Sequence, residues 1–233
     1  MLGQWIATDS RCRFSLNDWT IELDPKHPGD GVSILREGKV AWKALSIASE
    51  PQHSMQPEEI YIRHDDLIVR YSQSEHDQFE FQLDWRVLEV EQPFVLGIEV
   101  WISIQTRLLD TAPKINMTSF GGVAWQGWTH DQLSPDTTEL FDNLSGEARA
   151  ALCWGSTTEQ YLWLLDPRDC GQIAWQSSIT DQTQSAKLFG SFLEKGVIRR
   201  ARMQLLVASS SLTQSDVQHA YQSLSHSELP LTA

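Results

Sequence analysis

Between Gln78 and Gln105, apolar and polar residues alternate along two runs that meet at the turn Glu91-Gln92-Pro93-Phe94. In the first run Phe79, Phe81, Leu83, Trp85 and Val87 interleave with Glu80, Gln82, Asp84 and Arg86. In the second, Leu96, Ile98, Val100, Ile102 and Ile104 interleave with Gly97, Glu99, Trp101, Ser103 and Gln105. Alternation with period two over this length predicts two long antiparallel strands, one face in a core and the other wet or lining a cleft. Pairing Val90 with Val95 across the turn sets Arg86 opposite Glu99, Asp84 opposite Trp101, Gln82 opposite Ser103 and Glu80 opposite Gln105, with Arg70 on the neighbouring strand beside them. Directly opposed side chains have Cβ atoms about 4.5–5.5 Å apart, so these groups act together.

The rest of the chain reads mostly as shorter strands. Gln4 to Thr8, Arg11 to Ser15 and Trp19 to Asp24 open it, and the turn formers from Asp24 to Gly31 make a loop. Val32 to Leu35 and Val40 to Ala48 are joined by Arg36-Glu37-Gly38-Lys39, and a second loop runs from Ser49 to Pro57. Glu59 to Arg63 and Leu67 to Ser72 begin a meander that leads into the long hairpin. Ala148 to Trp154, Gln160 to Leu165 and Ile173 to Ser177 are further strands, the second nearly all apolar and therefore central. Ser134 to Leu144 is read as a short helix and Leu188 to Ala208 as a closing hairpin around Glu194-Lys195-Gly196. At the end Thr213 and Asp216 form a capping box, Leu212 and Val217 a hydrophobic staple, and Val217, Ala220, Tyr221 and Leu224 a helical stripe. The expected fold is all-β: one large antiparallel two-sheet sandwich, supersandwich-like, spanning residues 1–233 as a single domain, with one C-terminal α-helix at about 213–225.

Composition narrows the partners. A net charge of -13 and a pI near 4.9 argue against nucleic acid and anionic membrane surfaces, which demand clustered Lys and Arg. No apolar run is long enough to span a bilayer, and Met1 to Asp9 lacks the basic-then-apolar order of a signal peptide. Cys12, Cys153 and Cys170 form no CxxC, which fits a reducing compartment, and the expected location is cytoplasmic. Arg199, Arg200 and Arg202, clustered in an acidic chain, ask for carboxylate or phosphate partners, either on the protein itself or on a bound anion.

Candidate chemistry gathers in two places. On the polar face of the long hairpin, Trp101, Glu99, Asp84, Arg86 and Gln82 combine an indole with planar carboxylate, amide and guanidinium groups. That mixture suits a sugar, whose C–H face stacks on an aromatic ring while its hydroxyls bond bidentately to polar side chains. In the glycine-rich stretch from Gly121 to Asp131, Trp125, Trp128 and His130 either present themselves at a rim or pin a loop onto the sandwich. The ten tryptophans are read chiefly as core, with some as stacking platforms. Histidine and acids coincide in the turns at His64 to Asp66 and Ser74 to Asp77, but a seven-residue strand of roughly 23 Å separates them, so no shared metal site is expected. No phosphate loop, GxSxG, HExxH or cysteine ligand spacing occurs, and no cofactor is expected.

Long strands, many tryptophans and one terminal helix together resemble the large two-sheet sandwiches of galactose-mutarotase-like sugar-handling proteins. The resemblance is one of architecture. Those enzymes work with a histidine acid and a glutamate base, neither of which matches a position here, so no catalytic residue is carried over. Three readings stand. The first is a binding domain for a carbohydrate or similar polyhydroxylated small molecule or glycan. The second is a sugar isomerase or glycoside hydrolase using Glu80, Asp84 or Glu99 as acid and base. The third is an assembly subunit whose exposed tryptophans meet another protein, with self-association left open.

Overall fold

The chain forms three antiparallel sheets around one core in the computed structural model, which describes residues 3–8, 11–120, 126–133, 149–156, 158–166, 168, 174–178 and 182–227. β1 (Trp5–Ala7), β2 (Cys12–Leu16), β3 (Trp19–Leu23), β4 (Val32–Arg36) and β5 (Lys39–Ala44) make a five-stranded meander in chain order. β6 (Ser46–Glu50) leaves it for a second sheet. β7 (Glu59–Arg63), β8 (Asp66–Tyr71), β9 (Glu80–Leu88) and β10 (Phe94–Gln105) then build half of the largest sheet. After β11 (Lys114–Phe120) come β12 (Gln126–Thr129), α1 (His130–Leu133), β13 (Arg149–Gly155), β14 (Gln160–Leu165), β15 (Ala174–Ser178), β16 (Thr183–Phe189), β17 (Arg199–Ala208) and α2 (Gln214–His226). The eight-stranded sheet has the order β12-β13-β14-β17-β10-β9-β8-β7, and the four-stranded sheet β15-β16-β11-β6.

The register of the long hairpin is the one its alternation predicts: Glu99 faces Arg86, Trp101 faces Asp84, Ser103 faces Gln82 and Gln105 faces Glu80. β14 is central, between β13 and β17, as its apolar run requires. Two expected elements differ. The strand expected over Val40 to Ala48 divides at Leu45, whose φ of 55° bends the chain from the five-stranded into the four-stranded sheet. Leu188 to Ala208 is not a hairpin: positive φ at Phe189 and Gly190 ends β16, and the chain crosses between sheets before β17 begins. The helix expected over Ser134 to Leu144 lies outside the described residues.

One contiguous core joins all three sheets. Alternate residues of the long strands (Leu83, Val100, Met203) enter it from the eight-stranded sheet, and Ile34, Ile47 and Met117 enter it from the other two. Trp42 of β5 packs on Trp154 and Tyr161 of the large sheet, with ring centroids 4.7 and 4.3 Å away. The Tyr71 hydroxyl donates to the Pro25 carbonyl at 2.6 Å, a second tie between layers. All eight tryptophans with described side chains are buried, so among them none is an exposed platform. The side chains of Trp125 and Trp175 lie outside the described residues.

α2 closes the fold. Thr213 and Asp216 form the reciprocal capping box, and Val217, Ala220, Tyr221 and Leu224 are buried in the core. Cys12 and Cys153 are buried free thiols, each pushed up to about 11 by burial. Among the described residues no helix is long and apolar enough to cross a membrane.

Candidate functional site

The face of the eight-stranded sheet turned away from the core carries three rows of side chains, because each antiparallel register aligns residues of like parity across neighbouring strands. One row runs Glu59, Arg70, Gln82, Ser103, Arg200. The next runs Tyr61, Ile68, Asp84, Trp101, Arg202, and the third Arg63, Asp66, Arg86, Glu99, Gln204. Two hollows open over these rows.

The first hollow, of about 320 Å³, lies over the first two rows. Asp84, Gln82 and Ser103 come from its central strands, Tyr61, Arg63 and Arg70 from one side, and Ile198 and Arg200 from the other. Gln82 Nε2 donates to Asp84 Oδ1 at 2.7 Å. Burial pushes the Asp84 carboxyl above its usual range; Gln82, Arg63 and Arg200 oppose that shift and Asp66 adds to it. Among the described residues Glu80 Oε2 has no hydrogen bond, with Arg70 at 3.6 Å and Arg107 at 3.5 Å as ionic neighbours.

The second hollow, of about 660 Å³, lies between the third row, the turn joining β9 to β10, and α2. Although larger, it is lined by polar groups already engaged. Glu99 Oε1 accepts from the Trp101 indole at 3.0 Å and Oε2 from Gln204 Nε2 at 2.8 Å. Arg86 binds Asp66 through two hydrogen bonds of 2.6 and 2.9 Å. Arg202 reaches Asp166 at 2.8 Å, the Ser227 hydroxyl at 2.6 Å and the Leu224 carbonyl at 2.5 Å. Buried polar groups that already have partners gain little from a ligand, whereas unmet ones gain much. The first hollow is therefore the better candidate site.

The residues singled out from sequence are partly separated. Asp84, Gln82 and Trp101 share the first hollow; Glu99 and Arg86 line the second. Arg86 takes Asp66 as its partner in place of Glu99, since Asp66 on β8 offers both oxygens to the fork. Trp101 is only 8% exposed, with the Arg202 guanidinium 5.2 Å from its ring centre, so it is a wall of the hollow and not an open platform. Trp128 is a buried core residue of β12 and no rim contact. Trp125 lies outside the described residues, as does the side chain of His130, the first residue of α1. The arginine cluster disperses: Arg199 donates to Ser191, Arg202 is buried, and Arg200 enters the first hollow. Sequence reasoning missed Tyr61 and Arg63, which the parity of the predicted β7–β8 turn places on the same face as Arg70.

Comparisons with known proteins bear on the fold alone. No family model and no curated protein matches the sequence. Among solved structures, heparan sulfate lyase HepC from Pedobacter heparinus superposes with a TM-score of 0.56 at 6% identity, covering 91% of this chain and 37% of the lyase. This chain thus spans little more than a third of the lyase's length. A candidate aldose 1-epimerase from Klebsiella pneumoniae superposes with a TM-score of 0.53 at 10% identity, covering 96% of this chain and 87% of that one. The antiparallel sandwich of this chain is thus of a form also found in a polysaccharide lyase and an epimerase-like protein.

Proposed function

We propose that the chain binds a carbohydrate or similar polyhydroxylated ligand in the first hollow, over Asp84. The observation that carries this reading is the convergence there of planar polar groups without full partners, Asp84, Glu80, Arg63 and Arg200, beside an indole wall. A volume of about 320 Å³ is at the lower end for small-molecule sites, in keeping with a ligand of one or two rings. The likeness of fold to a heparan sulfate lyase and an epimerase-like protein supports a sugar over other polyols. Binding of immobilised glycans, measured on an array and then by calorimetry, tests it. Asp84→Ala should weaken the best binder about ten- to a hundredfold, the scale of one charge-assisted hydrogen bond. Glu91→Gln, at the second hollow, should leave it unchanged. Equal binding by wild type and Asp84→Ala would rule the hollow out.

A catalytic reading has one specific support. The Asp84 carboxyl is pushed up, which is the state a general acid needs. Against a glycosidase pair, Glu80 sits four residues along the same strand, about 13 Å away at the backbone, beyond either spacing of paired carboxylates. Turnover of a bound sugar that disappears in Asp84→Asn while binding persists would establish it.

A further inference from the structure

Charge is unevenly distributed on this molecule. The sequence has 18 basic against 31 acidic residues, yet Arg63, Arg70 and Arg200 all line the first hollow, against only Glu80 and Asp84. Glu80 is already shared between Arg70 and Arg107. Among the described residues the side chains of Arg63 and Arg200 make no hydrogen bond and no ion pair within 4.0 Å. They stand on opposite sides of the hollow, one on β7 and the other on β17, four strand spacings across and four residues along the sheet, or roughly 23 Å apart at the backbone. Asp84, on β9 between them, feels both charges at a distance but forms a close ion pair with neither.

We propose that the hollow takes an acidic sugar, one bearing a carboxylate or a sulfate or phosphate ester, whose anionic group is met by the guanidinium of Arg200, with Arg63 closing on it from the facing side. This rests on the reading of the hollow as a sugar site and names the class of sugar. Arginine suits the task because its planar fork bonds two oxygens of such a group at once and keeps its charge at any working pH. Two unpartnered forks facing a hollow, in a protein where Arg86, Arg168 and Arg202 each bind a carboxylate of the chain, mark a place where the carboxylate comes from outside.

The probes are α-1,4-digalacturonate against α-1,4-galactobiose, and galactose 6-sulfate against galactose, titrated calorimetrically into the whole chain. The acidic member of at least one pair should bind about ten- to a hundredfold more tightly than its neutral match, the scale of one charged hydrogen-bonded contact. The pair that shows the preference tells carboxylate from sulfate. Arg200→Gln should abolish the preference and Arg200→Lys restore part of it. Arg63→Gln, on an exposed edge strand where folding is not at risk, should reduce it, and Arg107→Gln should not. Equal binding of acidic and neutral members would overturn the acidic-sugar assignment and leave the sugar site standing. An absence of binding by all four would overturn both.

Discussion

Asp84 is half-buried and held by one amide hydrogen bond, and this makes its ionisation a liability to the folded chain. Because its folded carboxyl is raised above the unfolded value, the folded state holds the proton more tightly than the unfolded one. Stability from this residue is therefore full below the unfolded carboxyl range and falls as pH rises through the raised value. Asp84→Asn keeps the shape and an acceptor for Gln82 while removing the charge. Its thermal midpoint should exceed that of wild type at pH 7, and the gain should vanish near pH 3.5, as followed by circular dichroism. At the same scale, Glu99 shows how a candidate residue can be correctly placed and wrongly used. Its position opposite Arg86 was legible from alternation, but its two oxygens are occupied by Trp101 and Gln204. Gln204 arrives on β17, a strand 105 residues later, and no local pattern announces that neighbour.

Elements were legible where local rules suffice. The long hairpin follows from period two, and α2 follows from its cap and stripe. Thr213→Ala removes the side-chain acceptor for the Asp216 amide and should cost about 1 kcal/mol in urea denaturation. Asp216, whose hydrogen bonds from Thr213 lower its carboxyl pKa, contributes stability at neutral pH that is lost as pH falls through that lowered value. What local rules do not show is which sheet a strand joins. β16 and β17 look like hairpin partners because a good turn, Glu194-Lys195-Gly196, separates two apolar runs. The backbone had already turned out of the strand at Phe189, where a positive φ in a bulky residue is set by tertiary packing and not by its own preference. Candidate-site residues on β17 were hidden for this reason, since its place beside β10 is decided by the whole core, whereas those on β7 follow from the local turn to β8.

For the whole molecule, the formal charge of -13 sets the approach of any acidic ligand. At long range the protein repels it; only within the hollow do the arginines prevail. Raising ionic strength from about 10 mM to about 150 mM shortens the screening length from roughly 30 Å to roughly 8 Å. Stopped-flow tryptophan fluorescence should then show digalacturonate associating faster at the higher salt, while galactobiose associates at the same rate in both. The opposite trend would mean that attraction extends well beyond the hollow. One side of that hollow is also the rim of its sheet. Among the described residues β7 pairs only with β8, and the amide groups on its other side meet no strand. Such a border frays more readily than the interior of a sheet, so Arg63 rides on the least anchored part of the site. A ligand gripping that side chain should tether the border, and deuterium uptake by residues 59–63 should slow when the hollow is filled while uptake along β10 stays as it was.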